Sequence, residues 1–139
     1  MNVDSIQNGV VIDHITAGRG MLLYELLGLS ELDCSIALIK NGFSRKMGRK
    51  DIIKIDADIP VNLDVIGYVD PGATVNVIKN GILVEKKSIA KPEILTNVIK
   101  CKNPRCISSC EQELDHVFKL ADKEKGIYRC IYCETQAKN

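Results

Sequence analysis

The chain has 139 residues, 45% of them apolar and 27% charged, with 19 basic against 18 acidic side chains. That balance describes an ordinary globular protein, long enough for one domain or two small ones, and it excludes a polycation or a low-complexity disordered chain. No apolar stretch approaches the roughly 20 residues of a membrane span, and the opening MNVDSIQNGVVIDH lacks the basic and apolar regions of a secretion signal, so a cytoplasmic location with no membrane partner is expected.

In chain order, residues 10–15 read as a strand. Residues 21–29 place Leu22, Leu23, Leu26, Leu27 and Leu29 on one broad helical face, with Gly28 near the helix end. Residues 34–39 read as a buried strand, Asn41-Gly42 as a turn, and SRKMGRK as a solvated basic loop holding Arg45, Lys46, Arg49 and Lys50. Residues 51–55 form a further strand, Pro60 opens a second helix through Ile66, and Asp70-Pro71-Gly72 is a turn. Residues 74–78 and 82–87 flank Asn80-Gly81, a strong hairpin signal. The order strand, helix, strand, strand, helix, strand, strand predicts an α+β, ferredoxin-like domain with one helical layer and a sheet free to pair with a second copy.

Lys91-Pro92 breaks this pattern, and a linker is expected near residues 88–97. Domains are therefore expected at residues 1–91 and 92–139. The first carries eleven basic and eleven acidic side chains and the second eight and seven, so neither offers the concentrated basic face of a nucleic-acid binder. Gly18-Arg19-Gly20 lacks the Walker pattern and reads as a turn before the first helix.

The six cysteines, in a reducing compartment, point to metal rather than disulfides. Cys101-x4-Cys106 and Cys130-x2-Cys133 are two close pairs separated by 23 residues, the spacing of a structural Zn2+ held by four thiolates. Lys100, Lys102, Arg105 and Arg129 lie beside them and offset the cluster's negative charge. Cys106-x3-Cys110 competes as the first pair; Cys101 is preferred because it follows the strand-like NVIK and precedes an Asn-Pro turn. Cys34 reads as a small buried apolar residue. About 40 residues is at or below the size that folds without a staple, so the metal is expected to supply the stability. Four thiolates leave no position for a reacting water, and the zinc-deaminase pattern is missing, so a catalytic role for the ion is not expected. A rubredoxin-like iron site is the minor alternative, with a red colour as its sign.

The segments NGVVIDHI, MGRKDIIKI, ATVNVI, CKNPRCIS and YRCIYCE, in this order, resemble the regulatory chain of aspartate carbamoyltransferase over nearly the whole chain. The resemblance implies a non-catalytic subunit of pyrimidine biosynthesis, with an allosteric nucleotide-binding domain followed by a small β-rich, rubredoxin-like zinc domain that docks on the catalytic chain. Its implied partners are that catalytic chain, a second copy of itself within a larger hetero-oligomer, and CTP and ATP as effectors. It further implies a nucleotide site at Ile6, Val11, Asp13, His14, Lys54, Asn76 and Lys86, with residues 3–6 and Val11 near the base. Lys86 and His14 would then meet phosphates, and Asp13 and Lys54 the ribose. The family commonly has a bulkier residue at the position of Gly81. The reading from a different class is a zinc-ribbon nucleic-acid-binding protein with an N-terminal dimerisation domain, against which the even charge and only two Phe count.

Overall fold

Alternation in GVVIDHIT sends Val10 and Ile12 to one side of a strand and Val11 to the other. That strand, β1 (Gly9–Thr16), becomes the centre of a sheet. The computed structural model describes residues 6–137. After β1 come α1 (Gly20–Leu26), β2 (Ser35–Ser44), β3 (Gly48–Asp56), α2 (Leu63–Val69), β4 (Thr74–Lys79) and β5 (Ile82–Ser88). The sheet is antiparallel throughout, in the order β2-β3-β1-β4-β5. Each helix therefore connects strands separated by a third, which is the ferredoxin-like arrangement with β5 added at one edge. Val10, Ile12, Ile53, Ile55 and Val75 on one face, with Leu23 of α1 and Val65, Ile66 and Val69 of α2, make up the buried core.

Both helices are short, and their ends are fastened by named groups. Asn62 caps α2, its side-chain oxygen accepting from the N–H groups of Asp64 (3.0 Å) and Val65 (3.4 Å). Asp64 adds a favourable charge in the first turn. The start of α1 has no side-chain cap of its own. Instead Asp51 of β3, fully buried, accepts from Gly20 N–H (2.9 Å), Gly18 N–H (3.1 Å) and Asn41 N–H (2.8 Å). A Cβ at Gly20 would stand 2.7 Å from that carboxylate, so the clasp requires glycine there. Arg19 donates to the Val69 carbonyl (2.7 Å) and Asp70 accepts from Thr16 N–H (2.5 Å), tying the β1–α1 connection to the end of α2.

Several local expectations change. Pro60 does not open the second helix, which runs Leu63–Val69 behind its Asn62 cap, and residues 35–39 of β2 are half-buried or exposed rather than buried. Asn41-Gly42 is not a turn but a bulge inside β2, with Asn41 at φ 58° and its N–H spent on Asp51. The reversal falls at residues 45–47, so Arg49 and Lys50 belong to β3 rather than to a loop. The first helix stops at Leu26; Gly28 at φ 66° then leads into a single 3-10 turn, Leu29–Glu31.

The chain divides into two compact units, Met1–Ala90 and Lys91–Asn139. The second holds an antiparallel three-stranded sheet of β6 (Ile94–Thr96), β7 (Val117–Asp122) and β8 (Ile127–Cys130), with one helical turn, α3 (Ile107–Cys110). Its apolar core is small: Leu95, Ile99, Phe118 and Tyr128, the last donating from its hydroxyl to the Pro92 carbonyl (2.5 Å). β6 lies within the stretch expected to be linker, and NVIK does not form a strand. No helix among the described residues is long and apolar enough to cross a membrane.

Asp51→Ala leaves three backbone N–H groups without their acceptor, two of them shared by the start of α1. We expect a loss of about 3 kcal/mol in urea unfolding of the full chain, with a Gly20→Ala variant destabilised through the same contact.

Candidate functional site

The sheet has one face under the helices and one open face, and strand register decides which side chains share the open one. Ala37, Lys54, Val11, Asn76 and Lys86 are successive cross-strand partners from β2 to β5. Cross-strand partners lie on one face about 4.5–5.5 Å apart, so Lys54, Val11, Asn76 and Lys86 form a single row. Asn76 Oδ1 is buried and has no hydrogen-bond partner among the described residues, which leaves an acceptor waiting for a donor. Lys86 is exposed, while Lys54 and Val11 are half-buried.

Asp13 and His14 stand beside this row at a bulge, where the register of β1 against β3 slips and His14 takes φ 59°. Asp13 Oδ1 accepts from His14 N–H (2.6 Å) and pairs with Lys50 Nζ (2.9 Å). His14 Nδ1 lies 3.1 Å from Thr74 Oγ1. Burial pushes the Asp13 carboxyl up, but Lys50 and the His14 N–H outweigh it and hold the group below its ordinary 3.8. Lys50 was expected in a solvated loop, and Thr74 carried no expectation. The signal for both was period two: Lys50 shares parity with Lys54, and Thr74 with Asn76.

Ile6 begins the described residues; the expected base-contacting positions 3–5 lie outside them. Ile6 is half-buried and its Cγ2 takes the space beside Gly9, 2.8 Å from where a Cβ would be. That same Cβ would strike the Ile55 carbonyl at 2.1 Å, so only glycine fits at residue 9.

In the second unit the sulfurs of Cys101, Cys106, Cys130 and Cys133 lie within 4.8 Å of one another. Cys101 and Cys133 are 3.5 Å apart, Cys106 and Cys130 3.7 Å. A tetrahedron with metal–sulfur bonds of about 2.3 Å has edges of roughly 3.8 Å, so the cage fits a four-sulfur ion. Burial pushes the Cys101 thiol up to about 12, while Thr135 draws Cys133 down to about 6 and Ser108 lowers Cys106. A central cation supplies the charge that lets all four be thiolates together. His116 Nδ1 accepts from Cys101 N–H (3.2 Å) and Ser109 donates to the carbonyls of Cys101 (3.2 Å) and Asn103 (2.8 Å), fixing the first knuckle. Cys110 is exposed and turned toward the Pro104 carbonyl, away from the cluster, and Cys34 is half-buried just before β2.

Family models match both units in order: residues 1–90 match the allosteric domain of the aspartate carbamoyltransferase regulatory chain, and residues 93–139 its metal binding domain. The chain belongs to the aspartate carbamoyltransferase regulatory chain family. Proteins of that description from Clostridium botulinum and Clostridium acetobutylicum are 48% and 46% identical to it over 134 residues, 96% of this chain and 92% of each relative. One from Bifidobacterium longum is 44% identical over 138 residues, 99% of both chains. Regulatory chains of this family are non-catalytic subunits, and this chain joins an allosteric domain to a metal-binding domain.

The Asp13–Lys50 pair gives a titration with a definite sign. A depressed folded value means that the pair contributes above about pH 3.8 and is lost as pH falls through the folded pKa. Carboxyl-carbon NMR should place the Asp13 midpoint below 3.8 in the wild type and move it upward in Lys50→Met.

Proposed function

We propose that the N-terminal domain, residues 1–91, binds nucleoside triphosphates on the open face of its sheet. CTP and ATP are the effectors. Their effect passes to a catalytic chain of aspartate carbamoyltransferase through the domain of residues 92–139, which holds one Zn2+ on Cys101, Cys106, Cys130 and Cys133. The assembly is a regulatory homodimer within a larger hetero-oligomer of the cytoplasm.

The observation that carries the nucleotide reading is the row Lys54–Val11–Asn76–Lys86, in a chain of this family. A nucleoside triphosphate combines an apolar base, ribose hydroxyls and about four negative charges. The open face offers Val11 and Ile6 for the first, Asp13, Lys54 and the unpartnered Asn76 acceptor for the second, and Lys86 with His14 for the third. Zinc fits the donor set because four thiolates in a closed tetrahedron suit that ion and leave no position for a reacting water. The small core of the second domain makes the ion a condition of folding, and hence of docking on the catalytic chain.

For the metal, we expect one zinc per chain by elemental analysis and a colourless protein. Cys101→Ser should lose the ion and the ability to assemble with the catalytic chain, whereas Cys110→Ser should keep both. Retention of zinc in the first variant with loss in the second would transfer the ligand to Cys110.

For the effector face, Lys86→Ala removes a charge-assisted contact of roughly 1.5–3 kcal/mol, so calorimetry should show CTP binding weakened about tenfold to a hundredfold. Cytidine, which has no phosphates, should bind that variant as it binds the wild type. Asp13→Ala should weaken cytidine and CTP alike. Unchanged CTP affinity in the Lys86 variant would remove that residue from the site.

A further inference from the structure

The segment that enters the metal-binding unit is fixed residue by residue. Lys91 donates from Nζ to the carbonyls of Lys123 and Glu124. The Pro92 carbonyl accepts from the Tyr128 hydroxyl (2.5 Å), the Glu93 carbonyl accepts from Leu120 N–H (2.8 Å), and Ile94 pairs with Lys119. Residues 91–94 are thus each tied to one hairpin, β7–β8. The Lys91 contact is built from the turn of that hairpin. Asp122 Oδ1 accepts from the N–H groups of Glu124 (3.1 Å) and Lys125 (3.2 Å), and Gly126 follows at φ 66°. With N–H groups drawn to Asp122, the turn has carbonyls to spare. An ammonium, with three donors and no acceptor, suits them. The lysine stem passes the bare Cα of Gly126, whose Cβ would lie 3.9 Å from Lys91 Cε.

On the other side, β5 ends at Ser88, paired with Thr74. Only Ile89 and Ala90 stand between Ser88 and Lys91, and neither makes a hydrogen bond among the described residues. The two compact units divide after Ala90. Two residues span at most about 7 Å. The end of β5 that feeds this joint also borders the proposed effector groups. Lys86 precedes Ser88 on the same face, and Thr74 Oγ1 lies 3.1 Å from His14 Nδ1.

A joint this short passes a displacement from one end to the other, provided that both ends are held. The β4–β5 ladder holds the first end and Lys91 the second. Resting on the nucleotide site proposed above, we infer that Lys91 is a positioning residue for regulation. By clamping the connector on the β7–β8 turn, it carries the state of β5 into the metal-binding unit, although it is neither an effector-facing residue nor a metal ligand. Without the clamp the free stretch grows to include Lys91, and Pro92 becomes the first anchored residue.

The test uses the assembly of regulatory and catalytic chains, with Lys91→Met, Lys91→Arg and a chain carrying two extra glycines after Ala90, a lengthening that leaves both units as they are. Calorimetry on the full zinc-bearing chain gives CTP affinity, elemental analysis gives zinc, and activity of the assembly with and without saturating CTP gives the coupling. We expect CTP affinity within about twofold of wild type in every variant, with zinc retained. The factor by which CTP changes activity should fall to about its square root or less in Lys91→Met and in the insertion variant. Lys91→Arg, which keeps donors on a long stem, should respond as wild type does. A full response in either Lys91→Met or the insertion variant overturns the role of Lys91 and leaves the nucleotide site standing. Loss of zinc in Lys91→Met overturns it too, since the contact would then be one that folding requires. A wild-type chain that binds no CTP overturns the site itself, and the role of Lys91 with it.

Discussion

Everything in the N-terminal domain depends on β1 being paired on both sides. With β3 on one flank and β4 on the other, a single strand fixes the register of the three strands that carry Lys54, Val11 and Asn76. A slip of one residue would turn each of these inward and expose Ile12, Ile53 and Val75, so the buried apolar set enforces the polar row. Gly9 sets one limit of that register, since the Ile55 carbonyl passes where a side chain would begin. The bulge at Asp13 and His14 sets the other, and it lets the two polar residues stand together instead of on opposite faces.

The two units reach order by different means. The first buries a continuous apolar layer between two helices and a sheet, and Asp51 fastens the helix that lacks a cap of its own. The second has few large buried side chains, led by Phe118, Tyr128 and Leu95, and its cysteines Cys101, Cys106 and Cys130 are as buried as that core. In the second unit the sulfur cage is therefore part of the interior rather than an addition to it.

Much of this was legible because it rests on short-range patterns. Period two gave β1, β3 and β4, Asn80-Gly81 gave the hairpin, and cysteine spacing named the four sulfurs that the structure gathers. What was missed lies where tertiary contacts override local chemistry. Asn41-Gly42 has the composition of a turn, yet Asp51 draws its N–H inward and the strand continues. Lys50 sits in a run of cations, and only the register of β3 against β1 sets it on Asp13. The contact of Gln7 with Gly81 joins residues 74 positions apart and had no local signature. Choosing Cys101 over Cys110 agrees with the cluster, although the strand-like reading of NVIK that favoured it does not hold.

The central place of β1 also has a consequence in time. During synthesis β1 leaves the ribosome before either of its neighbours, and Val10 must wait for Ile55 and then for Val77. At about 5–20 residues per second that is a delay of several seconds. Throughout it, a strand with Ile12 and Ile15 on its surface has two open edges, a state prone to pairing with other nascent chains. Asp13 and His14, with His14 at positive φ, interrupt its regularity toward one end. The bulge that places Asp13 and His14 together in the finished sheet would, on the ribosome, also make this strand a poor template for its neighbours on the polysome.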